Sequence, residues 1–211
     1  MTEENLNPIV YSKNAIEFVT VANEYCNFLE TANTQNTLSF LNRAQKILPL
    51  LYLKTSVLPD VESFEEMGLE KFVSEVDYNF LQQKVMNLLG EYDDFQEVFD
   101  ADMQFSDAPL SSSISECLTD IYQDLKDFLM SYRTGDELVM QEALWVCIDN
   151  FKNYWGQRLV NSLRAVHALI YGDVDLEDQV NIAVENDPRE EEEGAGNKPE
   201  WLNQLFKNQG D

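Results

Sequence analysis

Apolar residues along the first 172 positions recur at intervals of three and four, and strict two-residue alternation bounded by turn residues is almost absent. That pattern predicts an all-α fold, a bundle of about five to seven helices with a long C-terminal one. A first helix is expected from Ser12 as N-cap to about Thr31, with Ile16, Val19, Cys26 and Leu29 on one stripe and Ala15, Phe18, Ala22 and Tyr25 beside it, a face wide enough for a central helix. Thr31 to Thr37 reads as a loop, after which Leu38, Leu41, Ala44, Ile47, Leu48 and Leu51 mark a second helix that Pro49 is placed to kink. An acidic, irregular stretch over 59–67 precedes a third helix over 74–89, built on Phe80, Leu81, Val85, Leu88 and Leu89, with Gly90 just past its end. Ser113 followed three residues later by Glu116 is a capping signature. It opens a fourth helix through Leu118, Ile121, Leu125, Phe128, Leu129 and Tyr132 to Gly135. Asp136 then caps a long pattern to Tyr171, with Leu144, Ile148, Phe151, Trp155, Leu159, Val166 and Ile170 in line: one helix, or two in series broken near Gly156. Residues 91–113 fit neither template.

Past Gly172 the pattern stops. Residues 173–211 hold twelve acidic and three basic residues, including the run Glu190 to Glu193, and read as a mostly disordered acidic tail following a helical domain over 1–172. Within 199–207, Trp201, Leu202, Leu205 and Phe206 form one face of a short amphipathic segment.

Charge narrows the functional classes. The 211 residues carry 14 basic and 39 acidic side chains, a formal −25, which disfavours direct binding to nucleic acid or to an anionic membrane, both polyanions. A basic or neutral protein is the expected partner, and the pattern leaves the oligomeric state open. No export signal or membrane-spanning run is visible, and Cys26, Cys117 and Cys147 have neither metal-ligand spacing nor an even count, so reduced buried thiols and a cytoplasmic location are expected.

The densest charge of the helical region lies between Lys84 and Lys126, where no basic residue interrupts the acids. Glu91, Asp94, Glu97 and Asp100 are spaced by three, which on a helix would align them along one ridge, with Tyr92, Phe95, Val98 and Phe99 as the anchored side. Asp93, Asp94, Glu97, Asp100, Asp102 and Asp107, with Trp201, Leu202, Leu205 and Phe206 of the tail, are the candidate partner-binding residues. Oxygen donors of this kind also suit Mg²⁺ or Ca²⁺, which makes Asp94, Glu97, Asp100 and Asp102 weak metal candidates, although no EF-hand loop is present and no cofactor is indicated. Glu62-x-x-Glu65 and Glu97-x-x-Asp100 have the spacing with which all-helical nucleotide pyrophosphatases hold Mg²⁺, but no basic residue follows to take a phosphate.

The single histidine excludes di-iron bundles and most zinc hydrolases. His167 borders the apolar stripe of the last helix and reads as a half-buried structural residue. A phosphoacceptor there would resemble a histidine phosphotransfer domain, but Ile170 stands where that family has lysine. Trp145, Phe151, Tyr154 and Trp155 read as core rather than pocket, and Lys152, Arg158 and Arg164 as internal ion pairs to the acidic strip over 91–107. No catalytic residue is assigned. The reading is an acidic, non-enzymatic interaction module or adaptor, with a DNA mimic as its sharper form; the alternative is a divalent-cation-dependent enzyme on a nucleotide or phosphate substrate, acting through 91–107.

Three segments, NPIVYSKNAIEFVTVANEYCNFLE at 7–30, EYDDFQEVFDADMQFSDAP at 91–109 and FKNYWGQRLVNSLRAVHAL at 151–169, resemble a bacterial family labelled domain of unknown function 5063. The likeness covers most of 7–172 and implies a small helical cytosolic protein; the family brings no activity, cofactor or catalytic residue to carry over.

Overall fold

The computed structural model describes residues 9–63, 68–97, 111–172 and Leu176. The order is a 3₁₀ turn (Ile9–Tyr11), α1 (Lys13–Glu30), a 3₁₀ turn (Ala32–Thr34), α2 (Thr37–Ser56), α3 (Glu75–Leu89), a 3₁₀ turn (Gly90–Tyr92), β1 (Asp94–Gln96), β2 (Ser111–Ser113), α4 (Ile114–Tyr132), α5 (Glu137–Asn150), a π-turn (Phe151–Trp155) and α6 (Gly156–Tyr171). Because α5, the π-turn and α6 are continuous, the described chain forms five helical rods, as the periodicity predicts.

Local chemistry sets the helix ends. Ser12, Asn36, Ser74, Ser113 and Asp136 each accept a backbone N–H of the first turn from their helix. Ser74 and Asp77 form a full reciprocal capping box, whereas Ser113 makes only its own half toward Glu116 N. Gly90 ends α3 at φ 56, ψ −123, a conformation open to glycine and strained for other residues. Pro49 lies inside α2, and the helix continues past it to Ser56.

α4 is the hub, packing on α1, α3, α5 and α6, while α2 lies on α1 and α6. Phe18 meets Phe128 at 5.2 Å between ring centroids, Phe28 stacks on Phe40 at 4.6 Å, and fully buried Leu118, Ile121 and Leu125 fill the centre. Each such side chain contributes about 1.5–3 kcal/mol of burial. Buried tyrosines find acceptors: Tyr25 Oη donates to Leu118 O at 2.8 Å and Tyr132 Oη to Val10 O. Leu176, just past α6, is also buried.

Two expectations are corrected. The ridge of Glu91, Asp94 and Glu97 does not form, because a 3₁₀ turn runs into β1, which pairs antiparallel with β2 (Asp94 opposite Ser113, Gln96 opposite Ser111). Asp94, on the strand, is exposed, and Glu97, just past its end, is half-buried. His167 is exposed, not half-buried; its ring lies 4.7 Å from that of Tyr171 on the outer side of α6.

Candidate functional site

α4 carries Glu116, Asp120, Asp124 and Asp127 at spacings of four, four and three, which places four carboxylates along one face. In a helix buried on most sides, the inner three of these cannot all turn to water, and neighbouring elements supply partners instead. Asp120 is at the centre and 8% exposed. Its Oδ1 accepts from Tyr78 Oη of α3 at 2.7 Å, and its Oδ2 accepts from Tyr154 Oη of the π-turn at 2.9 Å and from Arg158 Nη1 of α6 at 2.8 Å. The same guanidinium lies 4.7 Å from the Tyr154 ring centroid and 3.8 Å from Glu116 Oε1.

The sequence positions these groups through helix periodicity and one irregularity. Tyr154 and Arg158 are four residues apart, so ring and guanidinium stack along one face. The π-turn that carries Tyr154 depends on Gly156: a Cβ there would lie 2.4 Å from Phe151 O and 2.9 Å from the Phe151 ring. Beside it Trp155 is fully buried and donates Nε1 to Cys147 O at 3.3 Å, so it is core, as its stripe predicts, whereas Tyr154, read as core with it, is 44% exposed because its hydroxyl reaches Asp120 from the bundle's surface.

The electrostatics lock protons in place. Burial, then the bond and charge of Asp120, push the Tyr78 phenol well above its ordinary range and raise Tyr154 up to about 12. Burial works to lower Arg158, but Asp120, Tyr154, Cys117 and Glu116 together outweigh it and the guanidinium is held more firmly protonated. Near neutral pH the cluster is therefore one carboxylate receiving two phenol protons and one cation, with both oxygens occupied. It clamps α3, α4 and α6 together and offers no mobile proton.

Further along α4, Asp124 Oδ1 accepts from Asn150 Nδ2 at 2.7 Å. Asp127 Oδ1 accepts from the backbone N–H groups of Phe72 and Val73 at 2.8 and 3.1 Å, while its Oδ2 lies 3.2 Å from Lys71 Nζ. Both carboxylates line a cavity of ≈ 20 Å³, room for about one water, bordered by Ser131 and Cys147. Burial raises Asp124 from its ordinary value, against the Asn150 bond and the Lys71 charge.

Of the residues singled out in the sequence, Asp93 is buried at 4% exposure and serves α4: its Oδ1 accepts from Ser115 N at 2.7 Å and its Oδ2 from Ser115 Oγ at 2.6 Å. Burial raises it, and the two Ser115 bonds oppose that rise. Glu97 accepts from Asn161 Nδ2, a bond that ties the described part of the acidic strip to α6. Arg158 does pair internally, but with α4; among the described residues Lys152 and Arg164 are exposed and make no ion pair. Asp94 is exposed on β1. Asp100, Asp102, Asp107, Trp201, Leu202, Leu205 and Phe206, with the 173–211 tail apart from Leu176, lie outside the described residues. Among the described residues no three His, Cys, Asp or Glu side chains converge as metal ligands, and no helix is long and apolar enough to cross a membrane. The three thiols are buried, and burial raises each of them, so none is an activated nucleophile.

The Asp120 cluster is not evident from charge spacing alone. Its signal is an acid set inside an apolar run, Leu118-Thr-Asp-Ile-Tyr122, together with Tyr154 and Arg158 one turn apart.

Fold and site together define an all-α bundle organised around a buried carboxylate. A family model described as domain of unknown function 5063 (DUF5063) matches residues 9–172, and the chain belongs to that family. It is also similar to the crystal structure of protein BF1032 from Bacteroides fragilis, at 40% identity and a TM-score of 0.69 over 78% of this chain and 96% of that one. No curated protein matches the chain.

Proposed function

We propose that this protein is a non-enzymatic, acidic interaction module of the cytoplasm whose α3 side receives a basic protein partner. The observation that carries this reading is a pair of exposed apolar side chains on α3, the first flanked by carboxylates and the second with Lys84 Nζ 5.5 Å from its ring centroid. Val76 is 77% and Phe80 68% exposed, one turn apart on α3, and Glu75 and Asp77 flank Val76. Val76 and Phe80 are the two most exposed large apolar side chains among the described residues and sit side by side, which gives a partner two adjacent anchors, while the flanking acids steer a basic partner toward them. Asp94 extends the charge beyond α3, and the amphipathic segment with Trp201, Leu202, Leu205 and Phe206 supplies a second set of anchors in the sequence. The Asp120 cluster gives that side a rigid base, since Tyr78 bonds α3 to α4 directly beneath it.

Affinity capture with the wild-type chain and with a Glu75→Lys, Phe80→Ser variant tests the reading. Basic proteins held by the wild type should be lost with the variant and at high salt; an identical captured set from both would overturn it. Competition by duplex DNA would support the sharper form, mimicry of DNA, and a captured set indifferent to duplex DNA would exclude that form.

A further inference from the structure

Two of the acids of α4 meet a cavity that the cluster around Asp120 does not use. Asp124 and Asp127, three residues apart, line it together with Ser131 of the same helix, Asn150 at the end of α5 and Lys71 of the segment that leads into α3. Asp127 is 6% and Ser131 3% exposed, so hydrogen-bond partners for these side chains must come from inside the protein.

The bonds already made leave oxygens over. Asp127 Oδ1 takes the N–H groups of Phe72 and Val73, and Asp124 Oδ1 takes the Asn150 amide, while the other oxygen of Asp124 accepts no hydrogen bond among the described residues. Asp127 Oδ2 is buried and likewise accepts none among them. Lys71 Nζ comes within 3.2 Å of it but out of line for a hydrogen bond, at the end of a side chain that is 63% exposed. That contact supplies charge without a donor along a lone pair. A carboxylate oxygen left so is among the costliest groups to bury. Cavities that stay dry are lined by apolar groups, whereas a polar one of ≈ 20 Å³ holds a water when two to four partners face it.

We propose that this cavity is a binding site for one structural water, which donates one hydrogen to Asp127 Oδ2 and the other to the second oxygen of Asp124, within reach of the Ser131 hydroxyl. The fit is one of size and of hydrogen count: two acceptor oxygens call for two donors, and water carries both in a volume of this size. A divalent cation matches less well, because among the described residues no three carboxylate, thiol or imidazole groups converge. The water's place gives it a task. Phe72 and Val73, bonded to Asp127 Oδ1, directly precede Ser74, the N-cap of α3. A water fixed between the two carboxylates holds Asp127 in the rotamer that pins those N–H groups, and so positions the entry of α3 against α4. The site is independent of any partner on the exposed face of α3.

A high-resolution crystal structure of the full chain tests the site. One density peak should lie about 2.5–3.0 Å from Asp127 Oδ2 and from an oxygen of Asp124. A cavity without density overturns the proposal, as does a Lys71 ammonium turned inward to that position. Crystals soaked in rubidium chloride identify the occupant further, since an anomalous peak at the same point would make it a monovalent cation and not a water, which also overturns it. In solution, the amides of Phe72 and Val73 should receive magnetisation from a long-lived water in the wild-type chain. Asp124→Leu, whose larger side chain fills the cavity and removes one acceptor, should abolish that transfer and speed hydrogen exchange of both amides about tenfold or more. Transfer absent from the wild type, or unchanged in a folded Asp124→Leu variant, overturns the proposal whatever binds to α3.

Discussion

Asp120 shows how one residue can serve as a structural hinge pin for three elements. Replacing it with alanine removes the acceptor of two phenols and the counter-charge of a guanidinium at once, leaving donors half-buried and unpaired. Losing one member of such a pair costs about 3–5 kcal/mol when it is fully buried; with Arg158 partly exposed, about 3 kcal/mol is expected. Tyr78→Phe deletes one bond and should cost about 1 kcal/mol. Urea unfolding of the two variants checks the ranking, and near-equal losses would contradict the central place of Asp120. Asp124 behaves in the opposite sense. Its folded-state pKa is raised by burial, so between the unfolded and folded values the native state binds more protons, and stability falls as pH rises through that window. Asp124→Asn keeps an oxygen for Asn150 Nδ2 and removes the buried charge. The variant should melt higher than wild type at pH 7, and the difference should shrink as pH falls through the Asp124 titration and close below its unfolded value. A variant that melts lower at pH 7 would show that Lys71 or another neighbour needs the charge.

At the scale of elements, the π-turn is the least regular part of the described helices and carries a residue of the cluster. Gly156 makes it possible, because any Cβ there meets both the carbonyl and the ring of Phe151. Gly156→Ala, which favours a regular helix on propensity alone, should therefore destabilise the protein and withdraw Tyr154 from Asp120. Calorimetry should give a melting temperature lower by several degrees, about 2–4 °C per kcal/mol at this size, and alkaline titration should find a phenol closer to its ordinary pKa. Such a turn is illegible in sequence, where Gly156 reads only as a weak point in a long helix. The helices themselves were legible because caps and periodicity are local: Ser12, Ser74, Ser113 and Asp136 mark the starts of α1, α3, α4 and α5. What is not local was not legible. The spacing of Glu91, Asp94 and Glu97 fits a helix as well as chance allows, and only pairing with Ser111–Ser113 turns that segment into a ribbon. Asp93, Asp120 and Asp127 read as surface charge in a chain full of it, and their burial follows from partners 22, 34, 42 and 55 residues away.

For the whole molecule, self-repulsion from a formal −25 opposes the compact state. Added salt screens that repulsion, so the melting temperature should rise between about 50 and 500 mM NaCl. The same experiment separates an interaction module from a cation-dependent enzyme. A bound ion stabilises the fold by mass action, with a shift that saturates near its dissociation constant and adds to screening; counter-ions that merely screen give a smooth dependence on ionic strength. Asp94 is exposed on β1, Glu97 just past it bonds to Asn161, and Asp93 is already occupied by Ser115, so the described part of the acidic strip offers no converging set of oxygens. Titration with Mg²⁺, Mn²⁺ or Ca²⁺ should then follow the ionic-strength curve without a saturable step. A saturable rise at millimolar or lower concentration, lost on neutralising Asp94 and Glu97, would instead place a cation among the strip's carboxylates and favour phosphate chemistry over partner binding.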